Sequence, residues 1–243
     1  MNYRNYLPLL ILAIVLAAGC ISEPVPPTTE PESTTGIVPT ATDIPGVLVR
    51  FTSGVNATLQ EMDLTLATAT ADLSQTGIAG PEANVTLARI AAQTPCAVDA
   101  VTISPEGRIA AVMPEQYWAA VGAEVGNESH NRQALQERRP LMSPVFPAAE
   151  GFDAVSIRWP VTDSTGTFLG LATVLFDPQV LLADQADHAL QGTNYTAWAV
   201  DTRGRLIYDR DPSDLVGLDM LTDPAFDKYP DLVALVQKIV SEP

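Results

Sequence analysis

The chain has 243 residues, is 47% hydrophobic, and carries a net charge of -16 with a sequence pI near 4.3. That apolar content suffices for a buried core, whereas the excess of acid excludes nucleic-acid binding, which depends on clustered Lys and Arg. With two cysteines, Cys20 and Cys96, and two histidines, His130 and His188, no disulfide framework or zinc site is expected.

The chain opens with one basic residue, Arg4, an apolar run from Leu7 to Ala18, and small residues up to Cys20. That is the plan of a secretory signal. The run is about a dozen residues, short of the roughly 20 that a bilayer-spanning helix needs, so residues 1–20 read as a cleaved signal, with a permanent span as the alternative. From Ile21 to Pro45 the sequence is dense in Pro, Thr, Ser and Glu. It has too little to bury to offset the entropy of ordering, so 21–45 reads as a disordered, extended tether.

Apolar residues at Phe51, Val55, Leu59, Met62, Leu66, Ala69 and Leu73 recur in three- and four-residue steps. They predict one stripe of a long amphipathic helix within 46–80, ended by Gly77 and Gly80-Pro81. The same spacing suits a dimerising coiled coil. A shorter helix is expected from Pro81 to about Gln93, and Cys96 reads as a small buried apolar side chain.

Short alternating strands follow. Val98–Ile103 and Arg108–Met113 form a hairpin about Pro105-Glu106-Gly107; a polar helical stretch is expected from Glu115 to about Arg138; strands resume at Ser143–Phe146, Ala154–Val161 and Thr167–Phe176. Near Gly192 a second unit begins with Thr196–Asp201, the turn Thr202-Arg203-Gly204, and Arg205–Asp209, then a helix from Asp231 to about Ser241. Sequential antiparallel strands with inserted helices define an α+β class. The expected organisation is a main sheet domain over 81–185 and a second, smaller or incomplete unit over 190–243.

No motif supplies catalysis: there is no Gly-x-Ser-x-Gly, no His-Glu-x-x-His and no phosphate-cradling glycine loop. Asp209, Asp211 and Asp214 have the look of a calcium loop but lack its glycine and terminal glutamate, and read as a solvated turn. Neither catalytic residues, nor metal ligands, nor a cofactor are therefore expected. Asn56, Asn84, Asn127 and Asn194 each fit the N-glycosylation acceptor pattern; either these are glycan sites of an exported surface protein or they are polar loop and cap residues.

Two resemblances add to these readings. Ala17-Ala18-Gly19-Cys20 resembles the lipobox of prokaryotic lipoproteins, with its usual leucine one place further upstream at Leu16; this implies lipidation at Cys20. The long helix, "VDAVTISPEGRIAAVMPEQYW", "PLMSPVF", "VSIRWPVTDSTGTFLGLATVLFD" and "AWAVDTRGRLIYDRDPSDLVGLD" together resemble the extracellular Cache (PDC, double-PAS) sensor domains of bacterial and archaeal receptors. The sequons, read as glycan sites, point to an archaeal surface protein.

In that family a small ligand sits between the sheet and a helical flap of the membrane-distal domain. By position, the implied pocket residues are Tyr117, Trp118, Arg139, Ser143, Ser156, Arg158 and Asp177. Arg158, between Ile157 and Trp159, is a candidate clamp for a carboxylate; Asp177 resembles the acid that takes an amine in amino-acid-binding members, or caps the following helix. The Arg-x-Trp-Tyr signature of those members is missing. The expected function is a small-molecule sensor on the outer face of the cytoplasmic membrane, relaying through a membrane receptor or transporter. A solute-capturing lipoprotein for uptake and a non-binding structural surface protein are the alternatives.

Overall fold

A computed structural model describes residues 13–15, 44–148, 151–211 and 214–241. Cys20 and the expected tether as far as residue 43 lie outside the described residues. A three-residue strand β1 (Ala13–Val15) is followed by helices α1 (Ile44–Thr76) and α2 (Pro81–Gln93) and the hairpin β2 (Ala97–Ile103) and β3 (Ile109–Met113). A 3₁₀ turn (Glu115–Ala120), α3 (Ser129–Glu137) and the short strands β4 (Leu141–Met142) and β5 (Phe146–Pro147) come next. Then come β6 (Asp153–Thr162), β7 (Phe168–Phe176), α4 (Pro178–Leu190), β8 (Trp198–Val200), β9 (Leu206–Asp209) and α5 (Pro230–Ser241).

The main sheet is antiparallel in the order β3-β2-β7-β6-β4, with β5 also on β6; a smaller sheet is ordered β1-β8-β9. The class is α+β, as the sequence predicts.

α1 forms because its apolar stripe has helical period and meets no proline after its first turn. It buries Val47, Phe51, Val55, Met62, Leu66, Ala69 and Leu73 against the sheet, α2 and α4, each large aliphatic side chain contributing about 1.5–3 kcal/mol. The strands alternate. Ala100, Val155, Ile157, Ala172 and Val174 join the helices in one core cluster, while Val101, Ile103, Val112 and Leu171 face the opposite side in another. On the helical side the Trp159 indole donates to Asp63 Oδ1 at 2.7 Å, tying β6 to α1.

Two expected elements differ. The helix expected over 115–138 is split into the 3₁₀ turn and α3. Between them Gly122 takes φ +88°, and Gly126 packs so closely on Gly107 that a Cβ on it would lie 2.8 Å from Gly107 Cα. The strand expected at Ser143–Phe146 is two short pairings around an interruption, β4 and β5, although Ser143 N still donates to Ser156 O at 2.9 Å. The four sequon asparagines are at least partly accessible: Asn127 and Asn194 are exposed, Asn56 and Asn84 intermediate.

The second unit repeats the start of the first. Ser104 N donates to Arg108 O and Gly107 N to Ser104 O; Asp201 N donates to Arg205 O and Gly204 N to Asp201 O. Each turn then bridges to a following loop, Arg108 to Glu124 and Arg205 to Asp219.

The second turn also grips the first unit. Arg203 Nη2 donates to Val145 O at 3.0 Å, and Arg205 Nη2 lies 2.8 Å from Asp153 Oδ2. Asp201 Oδ1 accepts from the backbone N–H groups of Arg203 and Arg205 and stiffens the turn.

Candidate ligand cavity

On the face of the main sheet away from α1, strands β2, β3, β6 and β7 form the floor of a cavity of about 220 Å³, covered by the 3₁₀ turn and the segment leading into α3. This is below the roughly 300–1,000 Å³ usual for drug-sized ligands, and suits a small metabolite. Its floor is mostly apolar, with Val101, Ile103, Val112 and Leu175, and its polar groups are few: Asp99, Ser156, Arg158 and Thr173 from strands, Tyr117, Glu128, His130 and Asn131 from the cover.

Arg158 dominates the electrostatics. Strand alternation turns it inward between Ile157 and Trp159, and it is 2% exposed. Its Nε donates to Asn131 Oδ1 at 2.8 Å, but Nη1 has no partner. Burial pulls its pKa down to about 9, with the nearby Glu128 charge opposing the shift. It therefore stays cationic at neutral pH, held in a site of low polarity.

Asn131 is the link between cover and floor. Its Nδ2 donates to Val125 O at 3.0 Å and to Glu128 Oε2 at 2.8 Å. The His130 ring packs against Phe146 with centroids 4.2 Å apart. His130 Nε2 is 3.0 Å from Glu128 Oε2, but the two are not aligned for a hydrogen bond, and this nitrogen is without a hydrogen-bond partner, as is Thr173 Oγ1.

Of the seven residues suggested by the sequence, Tyr117, Ser156 and Arg158 line the cavity. Ser143 adjoins it: its Oγ accepts from Ser156 N at 3.0 Å and from Ser156 Oγ at 3.2 Å. The other three are placed elsewhere. Trp118 is 47% exposed, because the tight 3₁₀ turn directs it away from the wall that Tyr117 joins. Arg139 is exposed and bound to Glu137. Asp177 is the N-cap of α4, accepting from Gln179 N at 2.7 Å. Thr173, Asn131 and Asp99 did not emerge from the sequence; a polar residue on the inward phase of an apolar strand was the available signal for the first and last.

Cys96 is buried, which raises its thiol pKa to about 12. Among the described residues no group of three or more His, Cys, Asp or Glu is placed to hold a metal ion, and no helix is long and apolar enough to cross a membrane.

Comparisons with known proteins agree with this architecture. An extracellular ligand binding receptor from Desulfohalobium retbaense superposes with a TM-score of 0.72 at 25% identity, over 83% of this chain and 35% of that one. This chain thus spans about a third of that receptor's length. The ligand-binding domain of the Pseudomonas aeruginosa amino acid chemoreceptor PctB, in complex with L-Gln, matches with a TM-score of 0.54 at 12% identity, over 73% of this chain and 71% of that one. The V. cholerae histidine kinase DctB sensor domain gives 0.52 at 16%, over 82% and 76%. These last two share the fold. No curated protein matches the chain. The family model described as HK/GC/Chemotaxis protein-like, sensor domain, matches residues 57–178, just over half of the sequence. That span runs from α1 through β7 and contains the cavity floor, its cover and Arg158: the chain belongs to the HK/GC/chemotaxis protein-like sensor-domain family.

Proposed function

We propose that this chain is an extracytoplasmic sensor module without catalysis of its own, which binds a small anionic organic molecule in the cavity and relays occupancy through a membrane receptor or transporter. One observation carries the reading: a buried guanidinium faces the cavity with Nη1 unpartnered. A buried cationic donor without a partner is costly to leave unmade, and an anion there completes it. The leading segment supports export, with cleavage before Cys20 that removes β1 and leaves β8 and β9 as a hairpin, and Cys20 is the proposed site of lipid attachment to the outer face of the cytoplasmic membrane.

Ligand acts by favouring one arrangement over another. Its contacts with Asn131, which joins cover to floor, supply that difference, and the Arg203 and Arg205 contacts carry it to the second unit.

Thermal unfolding of the purified chain with acetate, propionate, isovalerate, succinate, purines and sugars tests the binding claim. A ligand at about 100 times its Kd stabilises by about 2.7 kcal/mol, a rise of about 5–11 °C for a domain of this size. An acid that raises the melting temperature supports the reading; stabilisation only by uncharged sugars or purines refutes it. Mass spectrometry of the N-terminal peptide tests the anchor: an unmodified Cys20 in membrane-derived protein removes it.

A further inference from the structure

Antiparallel register arranges the cavity floor in rows. Arg158 on β6 lies opposite Thr173 on β7, Thr173 opposite Val101 on β2, and Val101 opposite Val112 on β3. All four line the cavity. With neighbouring strands about 4.8 Å apart, the row is polar over its first step and apolar over the remaining two, roughly 10 Å.

Both polar members carry an atom with no partner, Arg158 Nη1 and Thr173 Oγ1, on residues only 2% and 3% exposed. Two unmet buried donors side by side on adjoining strands are not explained by packing, since buried polar groups in native folds are almost always paired. A third wall atom without a hydrogen-bond partner is His130 Nε2, 3.0 Å from Glu128 Oε2. Each acid of the lining has an interaction within the protein: Glu128 accepts from Asn131, and Asp99 has a partner of its own. The unpartnered atoms thus suit a carboxylate.

We infer that the cavity takes a short-chain aliphatic monocarboxylate, its two oxygens held by Arg158 Nη1 and Thr173 Oγ1 and its hydrocarbon tail lying along Val101 and Val112. The inference rests on the ligand-binding reading above and narrows it. Thr173 is the specificity-determining partner of Arg158, because it places the second donor one strand closer to the apolar end. Along the row beyond that pair lie only Val101 and Val112, so an amino acid or dicarboxylate that directs its second charged group that way is disfavoured.

Isothermal titration of the purified full chain tests this with isovalerate, valine, succinate and 3-methyl-1-butanol as probes. Isovalerate is expected to bind, and each of the others at least about 10-fold more weakly. Thr173→Val removes the hydroxyl at nearly constant volume and is expected to weaken isovalerate about 10- to 100-fold, without lowering the melting temperature of the unliganded protein. Thr173→Ser, which keeps the hydroxyl, restores binding. Valine or succinate binding more tightly than isovalerate, or Thr173→Val at wild-type affinity, overturns this inference alone if Arg158→Lys still weakens binding. If no acid binds the wild-type chain, or Arg158→Lys binds as tightly as wild type, the ligand-binding reading fails with it.

Discussion

Replacing Gly126 by alanine tests whether backbone contact holds the cover over the cavity. A Cβ at this position would meet Gly107 Cα at 2.8 Å, whereas carbon atoms rest about 3.5–4.0 Å apart. The loop must therefore withdraw by about 1 Å. Val125 N and Gly126 N donate to Gly107 O at 2.8 and 2.9 Å, and a retreat of that size stretches both beyond hydrogen-bonding range. The displacement passes on, because Val125 O accepts from Asn131 and Asn131 holds Arg158. Overpacking of this kind costs typically about 1–3 kcal/mol. At about 2–4 °C per kcal/mol for a chain of this length, Gly126→Ala should melt about 2–12 °C lower by circular dichroism. Amide exchange should also quicken across 125–131. A variant that melts within 1 °C of wild type with unchanged exchange there would refute the coupling.

Three further outcomes follow from individual contacts. Asp177→Ala should destabilise by about 1 kcal/mol through loss of the α4 cap and leave isovalerate affinity unchanged in the same titration; a large loss of affinity would return Asp177 to the site. Burial raises the Asp63 pKa above 3.8, against the lowering effect of the Trp159 hydrogen bond. The folded state thus holds this proton more tightly than the unfolded one, and stability falls as pH rises through the window that opens near 3.8. Asp63→Asn keeps an acceptor for Trp159 and should flatten that fall in urea unfolding between pH 4 and pH 7; an unchanged slope would sink the assignment. Cys96, with its thiol at about 12, should resist iodoacetamide at pH 8 until the protein unfolds, as read by peptide mass spectrometry; rapid labelling of native protein would contradict its burial.

The fold was more legible in the sequence than the site. The α1 stripe predicts every residue that the helix buries except Val47, with Leu59 only half-buried, because a 3.6-residue period projects directly onto one face, and the strand alternation of "VSIRWPV" separates Ser156 and Arg158 from Val155 and Ile157. Arg158 could be singled out for the same reason, since a cation on the inward phase of an apolar strand needs something to meet. Trp118 is expected on the cavity wall because position along a motif does not encode how adjacent residues in a tight turn diverge, whereas Asp177 takes the capping role that is its alternative reading. Thr173 escaped because its significance lies in cross-strand register: it matters only once β7 is laid beside β6. The break in the helix expected over 115–138 depends on the contact of Gly107 with Gly126, residues from two separate turns.

The turn that carries Arg203 and Arg205 has a mechanical consequence. Its two arginines hold different strands of the first unit, one at Val145 just before β5, the other at Asp153 where β6 begins. β5 brings Phe146 to the cavity wall, and β6 brings Arg158. A turn pinned internally by Asp201 therefore grips the β5–β6 pair at two points rather than one, which fixes the orientation of the second unit as well as its position.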